Sequence, residues 1–468
     1  MRLTITDLRK IPHRALRLQE STARWTATGV STDTRTVTRG MLFVALRGQK
    51  FDGHQYLADA VARGAAGAVV DVQGAAHAPF TIPVLVVDDT AAALAALAQQ
   101  HRERFDIPVI AVGGSNGKTT TKDMIARVLT MRYTVLATQG NLNNQIGVPH
   151  TLFGLDRTHD VAVVEVGTNH PGELAALCRM LKPTHALLTN LGHEHLEFFG
   201  SLEGVVQEET MLWRWTDHGK GMSVFINADD PLSRKAAAGV TRLVTFGFAA
   251  RGVRVRGSSL RVNDQGCATF RFRGGRMRKP AEVALNVPGI HNAHNALAAA
   301  AVGLTLRVPP ADIVEALEGF RAAGKRMEVI RIGDVTVLND TYNANADSAI
   351  AGLHTLAATS SNGKRIAVFA DMLELGDHSA GEHARVGATA AKLHIDYVLT
   401  YGTWAAEISR AAAGCSTAHY DQKNMLAEYL AELVSPGDVV LIKGSRGMAM
   451  EDILIFLQQR LGTALPAA

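Results

Sequence analysis

At 468 residues the chain exceeds what a single hydrophobic core sustains, so two to four domains are expected. Apolar residues make up 47%, charged residues 20% and aromatics only 6%; this mixture suits α/β layers and not a nucleic-acid reader that stacks bases on aromatic rings. A formal net charge of +4 from dispersed Lys and Arg, and only three distant cysteines (Cys178, Cys267, Cys415), exclude a basic nucleic-acid footprint, a disulfide framework and cysteine-metal spacing.

In chain order, MRLTITDLRKIPHR lacks the apolar core of a signal peptide. No run of about 18 apolar residues follows anywhere, so the reading is a cytoplasmic protein without membrane insertion. Residues 1–87 mix short strand-like runs (41–46, 67–72, 84–89) with a helical stretch near 55–63. RGQKFDGH, rich in Gly and Asp, reads as an exposed loop. From 88 the pattern becomes βαβ: a helix over 91–104, a strand IPVIAV, then buried-type strands at 160–166, 185–190 and 223–227. The alternating runs of 251–285 predict an antiparallel appendage. A third unit over 321–468 repeats the doubly wound pattern, with strands at 335–340, 365–371, 396–402 and 438–444. The expected fold class is thus α/β in three parts: 1–87, a central parallel sheet in 88–320, and 321–468.

The strongest local signal is GGSNGKTTTK at 113–122, placed between the strand IPVIAV and the helical stretch DMIARVLTMR. Glycines let successive backbone N–H groups close around phosphates, and the following helix adds its positive N-terminus. Gly114, Ser115, Asn116, Gly117 and Thr120 would form the cradle, Lys118 would reach the outer phosphates, and the Thr119 hydroxyl would hold Mg²⁺. A strict phosphate-loop pattern wants Gly at 112, where this chain has Val112. GNLNNQIGVP (140–149), EVGTNHPGE (165–173) and TNLGHEHLEFFGS (189–201) all start at or near the carboxyl ends of strands, where ligands bind in such sheets. Glu165 is placed as a metal ligand, and two carboxylates and a histidine there (His193 or His195) suit one or two Mg²⁺ ions bridging nucleotide and substrate, the alternative being the surface or core filler that an isolated histidine usually is.

These motifs, with NADD (227–230), GIHNAHNALAA (289–299) and GKRME (324–328), resemble the Mur ligases of bacterial cell-wall synthesis in the same order. STDTRTVTRGMLFVALRGQKFDGH (31–54) is similar to that family's UDP-sugar-binding part. DTYNANADS (340–348), ADMLELG (370–376) and KGSRGMAME (443–451) resemble the members that add D-Ala-D-Ala. The resemblance implies an ATP-dependent ligase that phosphorylates the terminal carboxylate of a UDP-N-acetylmuramoyl tripeptide and lets the dipeptide amine attack the acyl phosphate. It implies ATP and Mg²⁺ as cofactors, small-molecule substrates and a monomer. Carried over by position, Lys118, His195 and Arg326 would be catalytic, and Thr119, Glu165 and His195 would hold metal. Asn292 and Asn295 would hold adenine, and Arg326, Asp340, Tyr342 and Asn343 would face the nucleotide from the third part. Thr34 with the loop Gly48, Asp52, Gly53, His54 would take the uridine diphosphate. Asn141, Asn144, Asn345, Lys443, Ser445 and Arg446 would face substrate. For each polar residue the alternative is a helix cap or a closed turn.

The chain departs from the family twice. Ala346 and Asp347 follow Asn345 where the family usually has Pro, and Glu209 stands where the family places a lysine whose carbamate bridges a second metal. Either Glu209 supplies a built-in carboxylate ligand or the second metal site is altered, and the bland alternative is a solvated helix residue. The rival readings are another Mur-type ligase, adding a single amino acid, and a phosphate-loop NTPase without ligation. No Asp-Asn-Pro-Arg run of the diamino-acid adder occurs in the chain.

Overall fold

The computed structural model describes all residues except 19–23, 49–50, 79–80, 217–220, 323 and 463–468. Three larger sheets carry the architecture, together with a two-stranded ribbon that pairs Leu3–Thr4 with Thr26–Ala27. The first sheet orders its five strands Ala15–Arg17, Val84–Val87, Gly67–Asp71, Leu42–Val44 and Val30–Ser31, with only the Ala15–Arg17 edge antiparallel. The expected helix near 55–63 is a 3₁₀ turn, Gly53–Tyr56, running into the helix Leu57–Ala62.

The second sheet has nine strands among the described residues, with Val135–Ala137 as its parallel edge beside Val161–Glu165. Val109–Gly113 is flanked by Val161–Glu165 on one side and His185–Leu188 on the other. Ser223–Asn227 and Leu243–Gly247 continue it in parallel. The segment read as an antiparallel appendage is antiparallel, and it is continuous with this sheet. Phe246–Gly247 pairs in parallel with Val255–Arg256, and the strands Val255–Val262, Cys267–Gly274 and Ala281–Pro288 then run antiparallel as its edge. Their sequence alternates because the faces differ: Phe270 and Phe272 are buried while Arg271 and Arg273 are exposed.

The central strands read as continuous apolar runs because both faces are covered. Val109 and Ala111 pack with the helix Thr90–Arg102, and Ile110 and Val112 pack with Lys118–Thr130 and His291–Thr305. The residue that breaks the strict phosphate-loop pattern, Val112, is thereby explained: it is the last fully buried apolar position of the strand, and the turn starts after it. The third sheet, led by the hairpin Glu328–Ile332 and Val335–Asp340, continues with Val439–Lys443, Arg365–Ala370, Tyr397–Tyr401 and Ser416–Tyr420 in parallel. Its alternate residues likewise divide between two cores, Ala367 and Phe369 against Ile366 and Val368. The first sheet shares its core with the central one through Leu42, Val69, Leu85 and the helix Thr90–Arg102, and Thr32 Oγ1 lies 2.9 Å from His150 Nε2 across that boundary.

Candidate active site

A cleft of about 1120 Å³ opens between the carboxyl ends of the second and third sheets. Its floor is the phosphate loop. Gly114 (φ +106°) and Gly117 (φ +78°) hold left-handed backbone that L side chains disfavour. Space forbids a side chain as firmly: a Cβ on Gly114 would lie 2.8 Å from the Asn190 carbonyl oxygen, and one on Gly117 would lie 2.8 Å from Asn295 Oδ1. The end of the neighbouring strand braces the loop. Ser115 N donates to the Asn190 carbonyl (2.9 Å), Asn116 N to Asn190 Oδ1 (3.1 Å), and Gly192 N to Ser115 Oγ (2.8 Å).

Lys118 opens the helix Lys118–Thr130, and its Nζ donates to the Ser115 carbonyl (3.3 Å) and to Glu194 Oε2 (3.1 Å). Burial alone would depress this ammonium, but the carboxylates of Glu194, Glu209 and Glu165 outweigh it and raise its pKa above the usual lysine range. Glu194 was not singled out in the sequence, although it sits between the two histidines of the HEH run. It is buried, lines the cleft, and keeps Oε1 without a hydrogen-bond partner. Glu165, 2% exposed, ends the strand Val161–Glu165; its Oε1 accepts from Asn143 Nδ2 (2.8 Å) while Oε2 is unpartnered. Two buried oxygens facing a cleft without donors fit a hard cation. Thr119 is buried beside them in the cleft wall. Among the described residues no three His, Cys, Asp or Glu converge on one metal position, so a cation there would take its remaining oxygens from phosphates and water.

Glu209 requires a correction. It lies behind the phosphate loop and does not line the cleft; its Oε2 accepts from Gly114 N at 2.8 Å. Burial, reinforced by repulsion from Glu194, pushes its carboxyl up to about 8 despite the opposing pull of Lys118. A buried, partly protonated group already bonded to backbone is a brace for the loop and not an oxygen ligand for Mg²⁺. The solvated alternative fails as well, since Glu209 is 1% exposed.

His195 stands at the N-terminus of the short helix Leu196–Phe199, with Nδ1 2.5 Å from Glu374 Oε2 and Nε2 4.0 Å from Glu194 Oε2. His193 meets the third part differently, its backbone N donating to Asp347 Oδ2 (3.0 Å). Asn292 and Asn295 are buried in the cleft wall and bonded to each other, Asn295 Nδ2 to Asn292 Oδ1 at 3.0 Å. Beside them His291, overlooked in the sequence, is held down near pKa 4 by burial, with Nδ1 unpartnered.

The third part supplies the opposite wall. The Arg326 guanidinium lies 3.7 Å over the Tyr342 ring. Asp340 accepts from Lys443 Nζ (2.6 Å) and from Met327 N (3.2 Å), and Lys443 also donates to the Asn343 carbonyl (2.9 Å). Lys443, 2% exposed, is therefore committed to holding two loops together. Asn345 caps the helix Ala346–Ala358 in a capping box with Ser348, and Asn144 Oδ1 closes the turn into Gly147–Phe153 by accepting from Ile146 N (3.1 Å) and Gly147 N (2.9 Å). For these two the alternative of a helix cap or a closed turn describes their contacts, although both also line the cleft. Ser445 Oγ accepts from Leu373 N (2.8 Å), and Arg446, largely exposed, pairs with Glu451. Asn141 and Thr120 line the cleft as well.

The first-sheet residues lie elsewhere: none of Thr34, Gly48, Asp52, Gly53 or His54 lines this cleft. Gln49 and Lys50 of that loop fall outside the described residues. Gly48 and Phe51 are exposed as expected, but His54 is buried with both ring nitrogens engaged, Nδ1 by Asp52 Oδ1 (2.6 Å) and Nε2 by Asp71 N (3.0 Å). His54 shapes that loop and has no free nitrogen for a ligand.

Comparison with known proteins agrees with this construction. Residues 26–102 match the Mur ligase family, catalytic domain; residues 112–303 match the Mur ligase middle domain; and residues 325–446 match the Mur ligase, glutamate ligase domain. The UDP-N-acetylmuramoyl-tripeptide--D-alanyl-D-alanine ligase of Bacillus subtilis is 35% identical over 91% of this chain and 92% of its own. The crystal structure of MurF from Acinetobacter baumannii superposes with a TM-score of 0.89 at 30% identity, covering 98% of this chain and 99% of that one. The MurF ligase from Thermotoga maritima, solved in complex with ADP, superposes at 0.82 with 26% identity over 93% of this chain and 98% of that one. With three domain matches in order and relatives similar over nine-tenths of its length, the chain belongs to the Mur ligase family.

Proposed function

We infer that this chain joins D-Ala-D-Ala to the terminal carboxylate of a UDP-N-acetylmuramoyl tripeptide, with conversion of ATP to ADP and phosphate, in peptidoglycan precursor synthesis. The observation that carries the reading is a single cleft in which the phosphate loop faces Arg326, Tyr342 and Asp340 of the third sheet. The relatives' names supply the substrates. A carboxylate is a poor electrophile, and transfer of the γ-phosphoryl group to one of its oxygens creates a leaving group. The dipeptide amine then attacks the acyl carbon, and phosphate departs as the amide forms.

In this reading the loop amides and Lys118 hold the transferring phosphoryl group, and Lys118 exchanges its contact with Glu194 for phosphate oxygens. Asn292, Asn295 and His291 face the base, while Tyr342 and Arg326 face the ribose and phosphates from the other side. Thr119, Glu165 and Glu194 would hold Mg²⁺, with its remaining oxygens from phosphates and water, while Nε2 of His195 would face the phosphates; when bound, the ion neutralises the crowded phosphate and carboxylate charge. Asn141 and Arg446, both in the cleft wall, would face the peptide end. The first sheet, with Thr34 and the 48–54 loop, would take the UDP-sugar.

Phosphate release is the test. The protein with ATP and UDP-muramoyl tripeptide is expected to release phosphate in proportion to added D-Ala-D-Ala, with a pentapeptide product by mass. Release at the same rate without the dipeptide would reduce the protein to an NTPase.

A further inference from the structure

Two non-glycine residues held in left-handed backbone meet across the boundary between the second and third sheets: His195 (φ +48°) and Glu374 (φ +63°). Such backbone persists only where the surroundings over-determine it, and it gathers at functional sites. Here both strands of the contact are clamped. Glu197 N donates to the Glu374 carbonyl at 3.2 Å, and Gly376 packs against Glu197 Cα. Leu196, next to His195, is buried in the core of the third part with Met372 and Leu375, the neighbours of Glu374. The Glu374 carboxylate is thereby delivered to His195 Nδ1 at 2.5 Å. A carboxylate only accepts, so Nδ1 carries a proton, and in the neutral ring this contact selects the tautomer with its lone pair on Nε2. Nε2 is the nitrogen on the side of Glu194, 4.0 Å from its Oε2, and Glu194 touches Lys118.

We propose that Glu374 is a positioning residue: it fixes the tautomer and ring orientation of His195, so that Nε2 is presented to the phosphate centre only when the third part is seated on the central one. A neighbouring clasp reports the same seating. Asp347 Oδ2 accepts from His193 N and would lie 2.6 Å from any Cβ at Gly192, while Arg385 holds its other oxygen. The chemistry thus gains a condition that a bound nucleotide alone does not meet, since the group that aims His195 arrives with the other domain. The proposal rests on the ligase reading for its kinetic consequence, but its structural half stands apart from turnover.

The test uses the full chain labelled with [¹⁵N]histidine, His195 assigned through His195→Gln, and long-range ¹H–¹⁵N spectra that distinguish imidazole tautomers. Wild type is expected to show His195 protonated at Nδ1. Glu374→Ala is expected to move that signal toward the Nε2–H form and to lower kcat roughly tenfold or more, with the KM for ATP little changed. Glu374→Gln keeps an oxygen acceptor and is expected to retain the tautomer and recover most of kcat. Unmoved His195 nitrogens in Glu374→Ala overturn the proposal, as does a moved tautomer with wild-type kcat. An equal loss of kcat in both variants together with a lowered melting temperature overturns it too, because that is a purely structural role. If no variant and no wild type ligates, the ligase reading fails while the tautomer result still stands or falls by itself.

Discussion

A carboxyl group buried beside another carboxylate holds its proton to higher pH than it does in water, and Glu209 is such a group, pushed up to about 8 by burial and Glu194. Its proton is bound more tightly in the folded state than in the unfolded one. The stability it contributes is therefore complete below the ordinary carboxylate range and is lost as pH rises through about 8. Glu209→Gln keeps an acceptor for Gly114 N and cannot ionise. The difference in melting temperature, variant minus wild type, is expected to grow from about pH 5 to about pH 8 and then level off; a flat difference would mean that Glu209 is ionised throughout. Lys118→Ala acts on the same cluster from the other side. It should remove ligation, with a transition-state loss of roughly 3 kcal/mol or more. It should also lower the melting temperature at neutral pH by leaving Glu194 buried without its cation. Steady-state rates and thermal melts on one preparation check both. Lys118, Thr119 and Glu165 were legible in the sequence because loop chemistry announces itself locally. Glu194 was not, since its meaning comes from Lys118, 76 positions away in the chain, and Glu209 was noticed for its position but misjudged in direction.

At the scale of elements, the phosphate loop is a strand, a turn and a helix that only glycine can join at this spacing. Gly114→Ala is expected to raise the dissociation constant for ADP by roughly tenfold or more while the far-ultraviolet dichroism stays unchanged. Its Cβ would meet the Thr189 N and Asn190 carbonyl oxygen at 2.8 Å in a backbone with φ +106°, and strain of that kind costs on the order of 1–3 kcal/mol. Titration calorimetry with ADP measures it, and wild-type affinity would show that the loop can be built another way. The strands themselves were readable, because parallel strands covered on both faces must be apolar throughout. What periodicity could not supply was connection. The run of 251–285 alternates as any antiparallel strand does, and only the pairing of Phe246–Gly247 with Val255–Arg256 makes it part of the central sheet. Nor does sequence separate a ligand asparagine from a capping or turn-closing one: Asn345 caps a helix and Asn144 closes the turn into one, uses to which asparagine is often put.

For the whole molecule the question is how the first sheet can matter to a reaction whose cleft it does not line. Its residues Thr34 and Gly48 are absent from the cleft wall, yet its core is continuous with that of the central sheet through Leu42, Leu85 and the helix Thr90–Arg102. Thr32 and His150 are joined across the boundary. The first sheet is thus fixed relative to the phosphate loop, and a substrate long enough to reach both would have its carboxylate held in place by contacts made far from it. Remote binding of this kind is realised as orientation at the reacting atoms, so a truncated substrate loses kcat as well as affinity. The tripeptide without its UDP-sugar is therefore expected to show kcat/KM lower by on the order of a hundredfold or more, with part of the loss in kcat at saturating peptide. Coupled phosphate assays on the two acceptors, each titrated to saturation, measure it. Adding UDP-N-acetylglucosamine in trans should not restore the rate, because the benefit lies in the covalent link between the anchored nucleotide and the reacting carboxylate. Equal kcat/KM for the two acceptors would leave the first sheet without a part in catalysis, and rescue in trans would make it a switch instead of an anchor.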